Sequence, residues 1–324
     1  MARTVRPTAF GTPDVLETAS VPVPWPAADE VVARVRAAGV NPIDWKLYSG
    51  AFHAVDDRHK GAAGVIGALP RLGLECAGVV TTVGAEAAES GVGARVGDEV
   101  IVYPVTGAYA DYVTAPVTSL IPKPAGLDWP EAGSLMLAGT TAAHTLDATG
   151  VGPGDTVLVH GGSGGVGLMA VQLAVALGAT VIATAAERNH ALLRGLGALP
   201  VSYGPGLLDR VRAAAPDGVT AAIDCVGTDE ALDTSVELVA DRRRIASITG
   251  TDRRVTAGIK IIGNGPGQDA GTELRHAARA GLAARAGKGE LRVLVAAVFP
   301  LSEAARAHRA GAAGHAPGKL VLVP

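Results

Sequence analysis

The chain of 324 residues has only two cysteines, Cys76 and Cys225. Two are too few for a disulfide scaffold or a four-cysteine structural zinc site, which leaves two buried thiols in a reducing compartment as the plain reading. No block of Lys or Arg is present either. With 28 basic against 31 acidic residues the formal charge is −3, which argues against a nucleic-acid or anionic-membrane surface. No apolar window reaches the length of a membrane span, and none follows the arginines of Met1-Ala2-Arg3-Thr4-Val5-Arg6-Pro7. A cytoplasmic protein is therefore expected. There is no internal repeat of fixed period. The histidines His53, His59, His144, His160 and His315 have no spacing suited to a metal cluster or a nucleophilic triad.

What is present is enough apolar chain for two domains: 48% of residues are hydrophobic and 18% charged. The 43 glycines are dispersed among periodic segments, marking turns and close packing rather than low complexity. One cluster organises the rest. Val157 to His160 is a short apolar run; Gly161-Gly162-Ser163-Gly164-Gly165-Val166-Gly167 follows, and a helix-forming segment begins at once. Gly162, Gly164 and Gly167 fit G-x-G-x-x-G, the strand, turn and helix opening that binds the pyrophosphate of a dinucleotide. Such a turn between strand and helix also occurs without a ligand, but a second apolar strand, Thr180 to Thr184, arrives at the distance a βαβ unit requires.

From Thr4 to about Leu120, short β-rich runs are separated by turns, predicting a barrel-like β domain. Asn41 to Leu47 interrupts it as a turn into one helical turn. Gly50 to Arg71 shows no period and reads as a lid over the site or as a disordered insertion without a role. Asp128 and Glu131 mark a helix start, with helix expected over Ala132 to Leu137 and a second from around Thr140. Beyond the glycine turn, strands and helices alternate to Ile248, which requires a doubly wound parallel sheet. A short strand, Gly258 to Ile262, a helix, Thr272 to Ala286, a strand, Arg292 to Val298, a helix, Leu301 to Ala310, and a final strand, Lys319 to Val323, complete the chain.

Several stretches together resemble the medium-chain dehydrogenase/reductase superfamily, in particular its zinc-free quinone oxidoreductase branch. They are Ala38 to Asp44, Leu72 to Val80 with Val83-Gly84, Val96 to Val100, Gly107 to Val113, Ala138 to Ala142, the glycine turn, and Gly314 to Leu322. The resemblance implies a Rossmann domain over 122–290 and a discontinuous GroES-like β-rich barrel domain over 1–121 and 291–324, with the active site in the cleft. Where zinc-dependent members carry a cysteine ligand this sequence has Asn41, and where they carry Gly-His-Glu it has Gly73-Leu74-Glu75. Leucine cannot ligate zinc and an amide is a poor substitute for a thiolate, so no metal is expected.

The resemblance places Asn41 and Thr141 against the nicotinamide and extends the cofactor set to Val226 and Lys319. The residues alone leave Asn41 open as an Asn-Pro turn residue and Thr141 as a helix cap. Glu75, Asp44 and Asp98 read as acids that pair with arginines or cap turns. Lys46 and Tyr48 are candidate proton donors, with water the alternative. Within the glycine turn Gly162, Ser163, Gly164, Gly165, Val166 and Gly167 are the expected phosphate cradle. The second strand ends in Thr184-Ala185-Ala186 with no acid for a ribose 2′-hydroxyl, and Arg188 is placed to meet a 2′-phosphate, although Glu187 precedes it. NADP(H) is the expected cofactor.

Without a Lewis acid the substrate must bring its own electron sink, as a quinone or an α,β-unsaturated carbonyl does. An enoyl-thioester reductase and a noncatalytic NADP-binding sensor are the rival readings. A homodimer through the edge strand at Gly258 to Ile262 is expected from the resemblance.

Overall fold

A computed structural model describes residues 1–50, 69–89, 94–314 and 316–324. Most of the Gly50 to Arg71 stretch, with its expected lid, lies outside the described residues, as do His53, His59 and His315. The chain divides into two compact units, Met1–Leu137 with Arg279–Pro324, and Ala138–Ala278. The divisions fall later than Ile121 and earlier than Leu291 for packing reasons. Gly133, which ends the helix Trp129–Ala132, presses so closely on β-domain backbone that a Cβ there would lie 2.5 Å from the Ala37 carbonyl. Arg279, inside the helix Thr272–Gly287, donates to the carbonyls of Tyr103 at 2.5 Å and Thr118 at 3.0 Å.

The first unit opens with β1 (Ala2–Pro7), β2 (Leu16–Val21), β3 (Glu30–Val40), β4 (Cys76–Val83), β5 (Glu99–Val102), β6 (Tyr112–Pro116) and β7 (Leu120–Pro122). The second contains β8 (Thr156–His160), β9 (Thr180–Thr184), β10 (Leu199–Val201), β11 (Ala221–Asp224), β12 (Ile245–Ser247) and β13 (Lys260–Ile261). The chain then returns to the first unit with β14 (Val295–Pro300) and β15 (Lys319–Val323).

In the first unit β3 is the axis. Its eleven residues are buried on both faces over much of their length, and β4, β6 and β15 all pair with it antiparallel. At its end Ala38 is opposite Cys76 of β4 on one side and Leu322 of β15 on the other, while Val40 is opposite Leu320. This register brings Glu75, just before β4, and Lys319, at the start of β15, to the point where β3 runs into Asn41.

The second unit is a parallel six-stranded sheet in the order β10-β9-β8-β11-β12-β13, the doubly wound order in which the chain reverses direction between β8 and β11. Ligands of such sheets bind outside the strand ends at that reversal. The edge strand corrects one expectation. Ile259, Ile261 and Ile262 are buried within the unit, and the Asp269 N–H bonds the Ile261 carbonyl at 2.8 Å. No exposed apolar edge is offered there.

The helices follow the sequence signals with shifted ends. Asp128 caps its helix by accepting from the Glu131 N–H at 2.8 Å, while the Glu131 carboxylate accepts from the Asp128 N–H at 3.2 Å. That helix stops at Ala132, however, and the next runs Met136–Ala148. The helix expected over Ala132 to Leu137 is thus split, and Thr141 is interior to the second helix and not its cap. No helix among the described residues is long and apolar enough to cross a membrane.

Candidate functional site

In the first unit, the turn after β3 starts a fully buried polar network. Asn41 precedes the helix Pro42–Tyr48, and proline at its first position suits a helix start, where no backbone N–H is needed. The Asn41 side chain also reaches beyond that helix. Its Nδ2 donates to Glu75 Oε1 at 2.9 Å and to the Gly39 carbonyl at 3.3 Å, while its Oδ1 accepts from Lys319. Both amide hydrogens are used inside the unit, so Asn41 has no free donor for a ligand.

Lys319 Nζ also donates to Glu75 Oε1 at 3.1 Å, and the two side chains are 4% and 1% exposed. The second Glu75 oxygen accepts the Leu137 N–H at 2.8 Å. Glu75 therefore pairs with a lysine, not with an arginine as expected. The cation held against Asn41 and Glu75 is an ammonium group, supplied by the protein itself. Glycine is required at 39 because a Cβ there would lie 2.5 Å from Glu75 Oε1.

Asp44 extends the network inward. Its Oδ2 accepts the Asn41 N–H at 2.9 Å and the Tyr109 hydroxyl at 2.8 Å, and its Oδ1 accepts the Gly73 N–H at 3.1 Å. Burial pushes this carboxyl up to about 6 despite those three donors and the charge of Lys319. Beyond Tyr109, His308 Nε2 meets the Tyr109 hydroxyl oxygen at 3.3 Å and its Nδ1 meets the Tyr48 hydroxyl at 2.7 Å. A neutral imidazole with its proton on Nε2 satisfies every member. Burial agrees, lowering His308 to about 4.

These contacts argue against Tyr48 as a proton donor. Tyr48 is fully buried, stacked on His308, and held above its ordinary pKa by burial and then by the charge of Asp44. Burial raises a phenol rather than lowering it, so Tyr48 belongs to the core. Lys46 is exposed. Asp98 accepts the Arg95 N–H at 2.8 Å and caps a turn, as read.

In the second unit the glycine turn is built by close approach. A Cβ at Gly167 would lie 2.1 Å from the Gly161 carbonyl, and one at Gly162 2.8 Å from Ala183 Cβ. Gly161 takes φ +73°, its N–H donating to Thr184 Oγ1 at 3.0 Å. The helix Gly165–Ala176 follows Gly164 with no side-chain cap, leaving first-turn N–H groups for an anion. Ser163 accepts from Asn189 Nδ2 at 3.1 Å. Ala185 is buried and Arg188 exposed, and no carboxylate ends β9.

Across the chain reversal, Val226 lies over Gly161: a Cβ on that glycine would be 2.4 Å from Val226 Cγ1. Asp224 shapes this turn by accepting the Val226 and Gly227 N–H groups at 3.0 and 2.8 Å, and it is itself held by buried Arg254 at 2.9 Å. This set fits a dinucleotide's pyrophosphate and the 2′ position of its adenosine ribose: a glycine cradle that a side chain would fill and unspent helix donors for the first, an acid-free second strand followed by an arginine for the second. Thr141 is buried in the helix Met136–Ala148. The structure thus gathers Asn41 with Lys319, and Gly162 to Gly167 with Ala185 and Val226, in their respective units.

Sequence reading missed His308, Tyr109 and the Asp224–Arg254 pair. His308 carried one signal: with Ala304 and Ala307 it shares the buried face of the helix Ala304–Ala313. Both cysteines are free thiols; Cys76 is buried, but Cys225 only partly so.

Known proteins agree with this architecture. Residues 27–125 match the alcohol dehydrogenase GroES-like domain and residues 165–262 the zinc-binding dehydrogenase model. A quinone oxidoreductase of Pseudomonas aeruginosa is 32% identical, with 100% of each chain covered. A chloroplastic NADPH-dependent alkenal/one oxidoreductase of Arabidopsis thaliana is 32% identical over 74% of this chain and 61% of its own. A mycobacterial protein solved with NADPH superposes with a TM-score of 0.83 at 29% identity, covering 100% of both chains. The chain belongs to the quinone oxidoreductase branch of the medium-chain dehydrogenase/reductase superfamily.

Proposed function

We propose that this protein is an NADPH-dependent, zinc-independent oxidoreductase that reduces quinones or α,β-unsaturated carbonyls in the cytoplasm. The observation that carries the reading is the Asn41–Glu75–Lys319 cluster. Where a zinc-dependent relative would place thiolate and imidazole ligands, this chain has an amide and Leu74, and the amide oxygen is already bonded to an ammonium group. Among the described residues no group of three or more His, Cys, Asp or Glu side chains is arranged to hold a metal ion.

NADPH when bound supplies hydride. The chain's own part is to hold the phosphates on the turn from Gly162 to Gly167 and to keep Asn41 oriented through Lys319 and Glu75. With no Lewis acid at hand, the substrate carries its own electron sink. The buried Tyr48 hydroxyl is committed to His308, which leaves water and the exposed Lys46 as sources of the proton that completes the reduction. The acid-free end of β9 supports NADPH over NADH.

Oxidation of NADPH measured against a panel of quinones, enals, enones and acyl thioesters tests the proposal. Turnover with simple quinones or enones is expected. Activity confined to acyl thioesters would make the protein an enoyl-thioester reductase, and binding of NADPH without turnover a sensor. Tighter binding of NADH than of NADPH, or stoichiometric zinc by elemental analysis, would overturn the cofactor and metal parts. A homodimer is proposed as well; a monomer mass by light scattering at micromolar concentration would refute it.

A further inference from the structure

Asn189 is the last residue of the 3-10 turn Glu187–Asn189, which runs directly into the helix His190–Gly195. Its backbone is itself helical, so its side chain is not placed to cap that helix. Its Nδ2 reaches back 26 residues in sequence and donates to Ser163 Oγ at 3.1 Å. Asn189 is 8% exposed, and this buried bond joins its segment to the glycine turn.

A serine hydroxyl has one proton and two lone pairs. Because Asn189 donates, it occupies a lone pair and leaves the Ser163 proton unspent; Asn189 is the one side-chain partner of Ser163 among the described residues. The bond also ties the glycine turn to the segment that follows β9, where a dinucleotide's adenosine ribose is read. That segment offers Ala185 and Ala186 and then Arg188, which is exposed and has no ion pair among the described residues. Glu187, the one acid nearby in sequence, is exposed.

We propose that Asn189 is a positioning residue for recognition of the 2′-phosphate of NADPH. By donating to Ser163 it keeps that hydroxyl a donor, which together with the Arg188 guanidinium favours a phosphate over the plain ribose hydroxyl of NADH. The inference rests on the NADPH reading above and deepens it.

The test is direct binding to the full chain, measured by calorimetry with NADPH, NADH, 2′,5′-ADP and 5′-AMP. For Asn189→Ala, NADPH and 2′,5′-ADP are expected to weaken about tenfold, the scale of one hydrogen bond to a charged group, and NADH and 5′-AMP less than about twofold. Ser163→Ala should show the same selective loss, and the double variant should lose no more than either single one. Asn189→Asp, of the same size, presents an acceptor that takes the Ser163 proton; its selective loss should be at least as large, and it serves if the alanine variant does not fold. Equal losses for both cofactors, additive losses in the double variant, or no change would overturn the role of Asn189. A wild-type protein that binds NADH more tightly would instead overturn the underlying cofactor reading, so the two failures are separable.

Discussion

Lys319 and Glu75 form a buried ion pair, and its value lies less in net stability than in what happens when one partner is removed. Two charges taken out of water roughly cancel as a pair, whereas a lone buried charge is costly. Lys319→Met leaves the Glu75 carboxylate with Asn41 Nδ2 and the Leu137 N–H as its remaining donors. The expected loss is about 3–5 kcal/mol of unfolding free energy in urea; a loss below about 1 kcal/mol would mean that water reaches Glu75. Tyr48 supplies the contrasting case. Tyr48→Phe removes one hydrogen bond to His308 and leaves Nδ1 without its donor, for about 1–3 kcal/mol. NADPH turnover of the folded variant should stay within about twofold of the parent. A hundredfold fall with unchanged cofactor affinity would return Tyr48 to the role of proton donor.

At the scale of elements, the glycine turn was legible because its requirement is local. Gly167 packs on the backbone of Gly161, only six positions away within the same short motif. Gly167→Ala is therefore expected to push the helix Gly165–Ala176 off β8 and to weaken NADPH at least about tenfold in a binding titration. Unchanged affinity would mean that the turn yields without loss. The alternation of β8 to β12 with helices was legible for the same reason, since period and spacing are properties of contiguous sequence. Strand pairing is not. Asn41, Glu75 and Lys319 meet only because β4 and β15 flank the end of β3, and nothing near Lys319 in the chain announces a carboxylate 244 residues away. His308 is obscured by burial: a histidine on an alanine-rich helix face reads as packing until Tyr48 and Tyr109 are found on its two nitrogens. The isoleucines around β13 read as an apolar edge because a sequence does not say which side buries them; Ile259 and Ile261 pack into the core of their own unit with Val239 and Ile245.

At the scale of the whole molecule, three buried groups titrate within an accessible range and make the two units respond differently to acid. His308 and Asp44 lie in the first unit and His160 in the second. His160 is lowered to about 4 by burial, against the pull of Asp224, with Ser235 on its Nε2 at 3.1 Å. A histidine lowered from 6.5 to about 4 is protonated in the unfolded chain but not in the folded one between those values, so stability rises with pH across that window. Asp44, raised from 3.8 to about 6, is protonated in the folded chain but not in the unfolded one, so its contribution falls as pH rises. In the first unit the two terms oppose and nearly cancel between pH 4 and 6, while in the second His160 acts alone at about 1.4 kcal/mol per pH unit. Carboxylates held below their ordinary value add the same rising sign at the acid end of both units, Asp111 in the first and Asp155 and Asp269 in the second. Urea unfolding at pH 4.5, 5.5 and 6.5 should show a second-unit transition that strengthens with pH and a first-unit transition that stays nearly level. If both units unfold together, the single transition should rise by the net one-proton slope. His308→Gln can keep both hydrogen bonds while removing the titration, so the first unit of that variant should weaken as pH rises through the same window. A second-unit transition that is level or falls with pH would show that His160 is not held neutral.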